Sequence, residues 1–446
     1  MAKSEGYQRT VNELNTLGSI LGLERITSLC KKLGDPQKGL KFIHVAGTNG
    51  KGSVSRMIYS VLRSGGYTVG LFTSPYLERF NERIEVDGSQ IDDRSLNLLM
   101  AQVKAAIDQL VSEGQPSPTE FDAVTALAFL YFKECDVDYV VLEVGLGGRL
   151  DSTNVIDWPL CSIITNVSLD HTDVLGGTLE EIAMEKAGII KKGSVVISGA
   201  MDNRAKEVIR QKSRSEDCKL VESDLGTIKI YAMDYKETQM EVLPVNYHSL
   251  NIKLSMAGNY QVENALTAIT AISEMNNLGL IKVNDHNIID GMAKASNAGR
   301  LETISYLGFD YILDGAHNQA GAMALCSFVR KMQDATGRTP EETVVLTGVL
   351  KDKDVHGMYK ELTKMAKNFV VVDVKNPRAL KKEKLKEYIE SIDNEAKVYL
   401  REDVHSGLLL GRQLTESMEG ESLICCGSLY LIGEVRTAVR EVLIDG

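Results

Sequence analysis

Gly47-Thr48-Asn49-Gly50-Lys51-Gly52-Ser53 follows a short apolar run, Lys41 to Ala46, and leads into a segment with helical spacing. Glycines allow the backbone to turn tightly enough for several N–H groups to face one anion, and a following helix adds the positive end of its dipole. Lys51 supplies a full charge for the outer phosphates, so the chemistry indicated is the binding and use of ATP. The strict Walker pattern fails, because Gly52 rather than Ser or Thr follows Lys51 and Ala46 holds the upstream glycine position. A chance glycine-rich turn is the bland alternative.

Other polar residues stand where apolar runs stop. Thr68 to Phe72 ends at Thr73-Ser74-Pro75, Val137 to Leu142 ends at Glu143, and Leu160 to Thr165 runs out before Asp170-His171. A carboxylate suits a hard cation that neutralises a transferring phosphate. A single Glu is also commonly a solvated loop acid, and a lone His is commonly a surface or core residue. Strands separated by helices give a parallel sheet, whose ligands gather beyond the carboxyl ends of its strands. Gly47 to Ser53, Ser74, Glu143 and His171 are therefore expected to converge.

From Val195 to Leu254 short strand-like pieces suggest an antiparallel excursion within the first domain, followed by a helix from Tyr260 to Glu274. Small residues between Ala293 and Arg300 interrupt the pattern and mark a boundary. Strands resume at Phe309–Leu313, Thr343–Leu346, Phe369–Val372, Val398–Leu400 and Ser422–Cys426. The expected fold class is α/β: a P-loop-type, mostly parallel-sheet ATPase domain over residues 1–297, then a smaller Rossmann-like α/β domain over 298–446.

The 446 residues carry a formal charge of -11, with 43% hydrophobic and 25% charged residues. That balance describes an ordinary soluble globular protein and argues against nucleic acid, whose phosphates select basic surfaces. Seven cysteines without a CxxC pair fit a reducing compartment, and no run approaches the roughly 20 apolar residues that span a bilayer. The expectation is a cytoplasmic protein without membrane or nucleic-acid partners, monomeric by base rate.

Gly47 to Ser53, Thr73-Ser74-Pro75-Tyr76-Leu77 and the run Glu143-Val144-Gly145-Leu146-Gly147-Gly148-Arg149-Leu150-Asp151-Ser152-Thr153-Asn154 together closely resemble the folylpolyglutamate synthase family. Leu169-Asp170-His171-Thr172, Glu185-Lys186-Ala187-Gly188, Gly299-Arg300-Leu301-Glu302, Asp314-Gly315-Ala316-His317-Asn318 and Gly427-Ser428-Leu429-Tyr430 extend the match in order over nearly the whole chain. The family includes the bifunctional dihydrofolate synthases and is similar to the Mur ligases.

The resemblance implies ATP-driven phosphorylation of a carboxylate, followed by attack of a glutamate amine. It assigns ATP to Gly47, Thr48, Asn49, Gly50, Lys51, Gly52, Ser53, Asn264, Arg300 and Asp314, on both sides of the boundary, so that domain closure completes the site. Ser74, Glu143, His171 and Lys186 would hold metal, with two Mg2+ ions about 4 Å apart. Lys186 would do so as a carbamate, which turns a cation into a bridging anion; an ordinary helix-face lysine is its alternative.

Lys51, Lys186 and His317 are the implied catalytic residues. Folate would meet Ser19, Ile20, Leu21, Glu120, Phe121, Leu150, Asp151 and Ser152, although Phe121 reads more readily as an apolar helix residue in a core. L-glutamate is placed at Arg378, whose guanidinium suits a carboxylate, and at Ser428. Thr119-Glu120-Phe121-Asp122 departs from the aromatic-rich stretch of some bifunctional members. The small-molecule partners are then ATP, L-glutamate and a reduced folate, with acceptance of dihydropteroate left open. The alternatives are a Mur-type amino-acid ligase, against which stands the short segment before Gly47, and a non-ligating nucleotide-dependent regulatory protein.

Overall fold

The computed structural model describes Leu14 and residues 20–445. The chain divides into two compact units. The first runs to Lys229 and takes in Met240–Lys253 and Glu263–Ala295; the second comprises Ile230–Gln239, Leu254–Val262 and the chain from Ser296 onward.

The first unit is built on an eight-stranded sheet. Its strands are β1 (Phe42–Ala46), β2 (Val69–Phe72), β3 (Ile84–Val86), β4 (Ser89–Gln90), β5 (Tyr139–Glu143), β6 (Cys161–Ile164), β7 (Val195–Ser198) and β8 (Lys219–Glu222). The order is β4-β3-β2-β5-β1-β6-β7-β8. Six strands from β2 to β8 run parallel, and only β3 and β4 turn antiparallel at one edge. β1, β2, β5, β6 and β7 are buried at every residue, as strands covered on both faces must be, which explains their continuous apolar runs.

The reading of Val195 to Leu254 as one antiparallel excursion is corrected in its first part. β7 and β8 extend the parallel sheet, joined by the charged helix Asn203–Ser215, whose apolar residues Ala205, Val208 and Ile209 are buried. A separate three-stranded sheet follows, made of β9 (Ile228–Met233), β10 (Thr238–Val242) and β11 (Leu250–Leu254) in the order β11-β10-β9. β10 and β11 bury alternate residues, the pattern of a sheet covered on one face.

The second unit carries a six-stranded sheet: β12 (Arg300–Tyr306), β13 (Phe309–Asp314), β14 (Val344–Thr347), β15 (Asn368–Val371), β16 (Lys397–Leu400) and β17 (Ser422–Cys426). The order is β12-β13-β17-β14-β15-β16, with β12 antiparallel to β13 and every other pair parallel. β12 begins within the stretch of small residues read as a boundary; its half-buried, mixed-polarity sequence hid it. Among the described residues no helix is long and apolar enough to cross a membrane.

One helix pair brings backbones into contact. A Cβ on Gly291, in the helix Asp285–Lys294, would lie 2.4 Å from Val61 Cα and 2.7 Å from Val61 N in the helix Lys51–Ser64 that follows the phosphate loop. Gly291→Ala therefore forces the helices apart, a strain larger than the propensity gained from alanine. A loss of about 1–2 kcal/mol in a denaturant-unfolding experiment is expected, with unchanged secondary structure by circular dichroism.

Candidate active site

β1 ends at Ala46 and the chain turns at once. Gly47 has φ 155°, and a Cβ there would lie 1.8 Å from Thr165 Oγ1. Gly50 has φ 87° at the N-cap of the helix Lys51–Ser64, where a Cβ would sit 2.2 Å from Asn264 Oδ1. The loop is pinned from β6: Thr48 N donates to Asn166 O (2.7 Å), Thr48 Oγ1 donates to Ser168 O (3.0 Å), and Thr165 Oγ1 donates to Asn49 O (2.7 Å). Lys51 Nζ donates to Gly47 O (3.1 Å) and Thr48 O (3.2 Å), curling the ammonium over the loop. The structure thus gathers Gly47 to Ser53 and Asn264 into one cradle. Thr165, Asn166 and Ser168 were missed as its supports; their signal was the same polar ending of a buried strand that marked Ser74.

β5 lies beside β1 with Val45 opposite Glu143. The Glu143 side chain is buried at the strand end, and its Oε2 accepts Ser74 N at 3.1 Å. Lys186, on the helix Leu179–Ala187, is 3% exposed. Burial first, and then the charge of Lys51, bring its pKa from 10.5 down to about 7, against the opposing pull of Asp170. Lys51, Lys186 and Asp170 therefore share one electrostatic neighbourhood.

His171 has φ 50° and caps the short helix Thr172–Leu175, with its imidazole Nε2 4.0 Å from Asp170 Oδ1. Among the described residues no group of three or more His, Cys, Asp and Glu could enclose a metal ion. Glu143 and Ser74 nevertheless fit Mg2+, which takes one or two carboxylates and completes its shell with phosphate oxygens and water.

The residues mapped to the folate are drawn from separate segments, and Ser19 lies outside the described residues. Arg25 Nη2 donates to Ile20 O (2.7 Å) and Leu21 O (3.3 Å), and Gly22 N donates to Leu150 O (3.1 Å). Arg25 Nε stands 3.7 Å from Asp122 Oδ2. That buried carboxylate also accepts Ser152 Oγ (2.7 Å) and Thr119 N (2.8 Å). Arg25 and Asp122 thus tie Ile20, Leu21, Ser152 and the start of the helix Glu120–Glu134 together, and Gly22 adds Leu150, a role visible only once the segments meet.

Glu120 pairs with Arg83 at 3.6 Å. The Phe121 ring packs 5.9 Å from that of Phe72 and fills the space a Cβ on Gly145 would need. Asp151 turns into its own loop, accepting Leu146 N (2.8 Å), Thr153 N (3.0 Å) and Thr153 Oγ1 (2.5 Å). Burial raises its pKa in spite of these bonds.

In the second unit Arg300 and Asp314 are opposite one another on β12 and β13. Buried Asp314 accepts Tyr260 Oη (2.8 Å), Leu301 N (3.0 Å) and Ala316 N (2.9 Å). Burial raises its pKa more than Arg300 lowers it. His317 follows β13, its Nδ1 2.8 Å from Gly315 O, and Asn318 caps the helix Gln319–Thr336. Ser428 follows the adjacent parallel β17, so His317 and Ser428 lie past the ends of neighbouring strands. Arg378 follows β15, two strands beyond β17, and its Nη1 pairs with Asp352 at 3.0 Å.

Comparison with known proteins supplies the family. Residues 45–272 match the Mur ligase middle domain, and residues 299–439 match the dihydrofolate synthetase C-terminal domain. The chain is 37% identical over 432 residues to the dihydrofolate synthase/folylpolyglutamate synthase of Bacillus subtilis, covering 94% of this chain and 95% of that one. It is 33% identical to the folylpolyglutamate synthase of Lacticaseibacillus casei, covering 95% and 94%.

Its structure is similar to that of Mycobacterium tuberculosis folylpolyglutamate synthase complexed with ADP and AMPPCP, with a TM-score of 0.87, 28% identity and coverage of 97% and 98%. A glycine loop pinned between two strands, a buried acid at the end of the neighbouring strand, and matches along nearly the whole length agree: the chain belongs to the folylpolyglutamate synthase/dihydrofolate synthase family of Mur-type ligases.

Proposed function

We propose that this chain is an ATP-dependent ligase that joins L-glutamate to the carboxylate of a reduced folate through an acyl phosphate, releasing ADP and inorganic phosphate. The observation that carries the reading is the placement of Glu143 beside the strand that feeds the phosphate loop, with Val45 opposite it. A carboxylate resists amines because oxide would have to leave. Transfer of the γ-phosphoryl group makes phosphate the leaving group, and the glutamate nitrogen then closes the amide bond as the acyl–oxygen bond breaks.

Gly47 to Ser53 cradle the phosphates, and Lys51 swings from the Gly47 and Thr48 carbonyls to the phosphates. Asn264, Arg300 and Asp314 contact the nucleotide. Ser74 and Glu143 would hold one Mg2+ and His171 with carbamylated Lys186 a second, and such ions would supply positive charge to offset that of a phosphoryl group in transfer. Ile20, Leu21, Glu120, Phe121, Leu150, Asp151 and Ser152 receive the folate. His317 stands by the incoming amine, while Arg378 and Ser428 take glutamate carboxylates. The B. subtilis relative carries both activities in its name and the L. casei relative only one, so dihydropteroate is tested as a second acceptor.

Three outcomes check this reading. ADP release in the presence of ATP, Mg2+ and L-glutamate depends on added tetrahydrofolate, with a product heavier by one glutamyl residue by mass spectrometry. Silence with tetrahydrofolate and dihydropteroate alike refutes it. Lys51→Ala lowers turnover at least about 100-fold, because a charge aimed at transferring phosphate is lost, while the thermal melt stays near wild type.

Only the neutral amine of Lys186 can attack CO2, and its pKa of about 7 makes that form the major one above neutrality. At fixed dissolved 13CO2, the carbamate signal in carbon NMR should grow as pH rises from 6 to 8. It should be absent in Lys186→Ala.

A further inference from the structure

His44 is a fully buried polar residue in the middle of β1, flanked by Leu142 on β5 and Ser162 on β6. Its Nε2 lies 2.9 Å from Thr153 Oγ1. Thr153 has one hydroxyl hydrogen, and the 2.5 Å contact in which it donates to Asp151 Oδ1 uses it. The imidazole must therefore donate from Nε2, which fixes its tautomer. The Nδ1 lone pair is then buried without a hydrogen-bond partner. Burial, with the positive charge of Lys191 second, holds the ring neutral at a pKa of about 3.

An unmet lone pair in a strand core is a cost that leucine would not incur. What the histidine provides is a path of side chains. It runs from β1 through His44 and Thr153 to the Asp151 carboxylate, and from there to Leu146 N at 2.8 Å. One end of β1 feeds the phosphate loop, while this branch from its middle holds the turn that presents Leu150, Asp151 and Ser152.

We infer that His44 is a positioning residue for the carboxylate acceptor, acting through Thr153 to hold the 146–152 turn in the geometry that receives the folate without itself touching substrate or nucleotide. The inference rests on the ligase reading above. It separates the acceptor from the nucleotide, because the loop from Gly47 to Ser53 is pinned independently by Thr165, Asn166 and Ser168.

The experiment is steady-state ADP release with His44→Leu, His44→Gln, Thr153→Val and Thr153→Ser, varying the acceptor at saturating ATP and then ATP at saturating acceptor. His44→Leu and Thr153→Val should each raise the acceptor KM about tenfold and leave the ATP KM within about twofold. The double variant should lose little more than either single one, since both break the same path. His44→Gln and Thr153→Ser, which keep a donor and a hydroxyl, should recover most of the acceptor affinity.

An unchanged acceptor KM in Thr153→Val, or acceptor and ATP KM rising together, overturns the inference. Should His44→Leu fail to fold, Thr153→Val decides alone, because it exchanges a hydroxyl for a methyl of the same shape. Wild-type protein silent with every acceptor overturns the ligase reading and this inference together. Active wild type matched by the variants overturns the inference only.

Discussion

β1 lies between β5 and β6, and the candidate site of the first unit depends on that adjacency. A strand buried on both faces has no freedom to shift register without losing its hydrogen bonds and its packing together. Ala46, the last residue of β1, is therefore fixed, and the turn at Gly47 starts from a fixed point. The segment just past β6 supplies the hydroxyl and carbonyls that hold the loop, and β5 supplies Glu143. The sheet is the ruler against which the chemistry is set.

Burial then changes what the side chains are. Lys186 is an ordinary cation in water, but buried to 3% exposure and within reach of the Lys51 charge its pKa falls to about 7. Asp151 and Asp314 show the opposite sign: burial raises both, and only part of that shift is offset, at Asp151 by the Thr153 hydroxyl and then backbone N–H donors, at Asp314 by Arg300, then Tyr260 and backbone N–H donors. Asp151 binds its own loop, and Asp314 joins Tyr260, Leu301 and Ala316, so each serves first to shape the surface on which ligands would sit. Asp122 does the same among the segments proposed to receive the acceptor, joining three that are distant in sequence.

Much of this was legible in the residue order. Apolar runs of four to six residues ending at Gly47, Ser74 and Glu143 marked strands and their polar ends, because parallel strands are uniformly apolar and their loops are not. The same rule failed at β7 and β8, where the charged helix between them hid the continuation of the sheet, and at β12, whose edge position leaves it half polar. Ser19 falls outside the described residues.

The sequence by itself determined the phosphate loop, the strand-and-helix alternation and the family, since each is written in contiguous residues whose types answer to local backbone needs. Gly47 and Gly50 are glycine because no Cβ fits at either place. Only the tertiary structure decided which distant residues meet. Asn264 against Gly50, Arg25 beside Asp122, Lys186 within range of Lys51, and His44 behind Thr153 are separated by up to about two hundred residues. Contacts of that kind follow from strand order and helix packing, which no local pattern encodes, and they set the charges and hydrogen bonds on which the proposed chemistry runs.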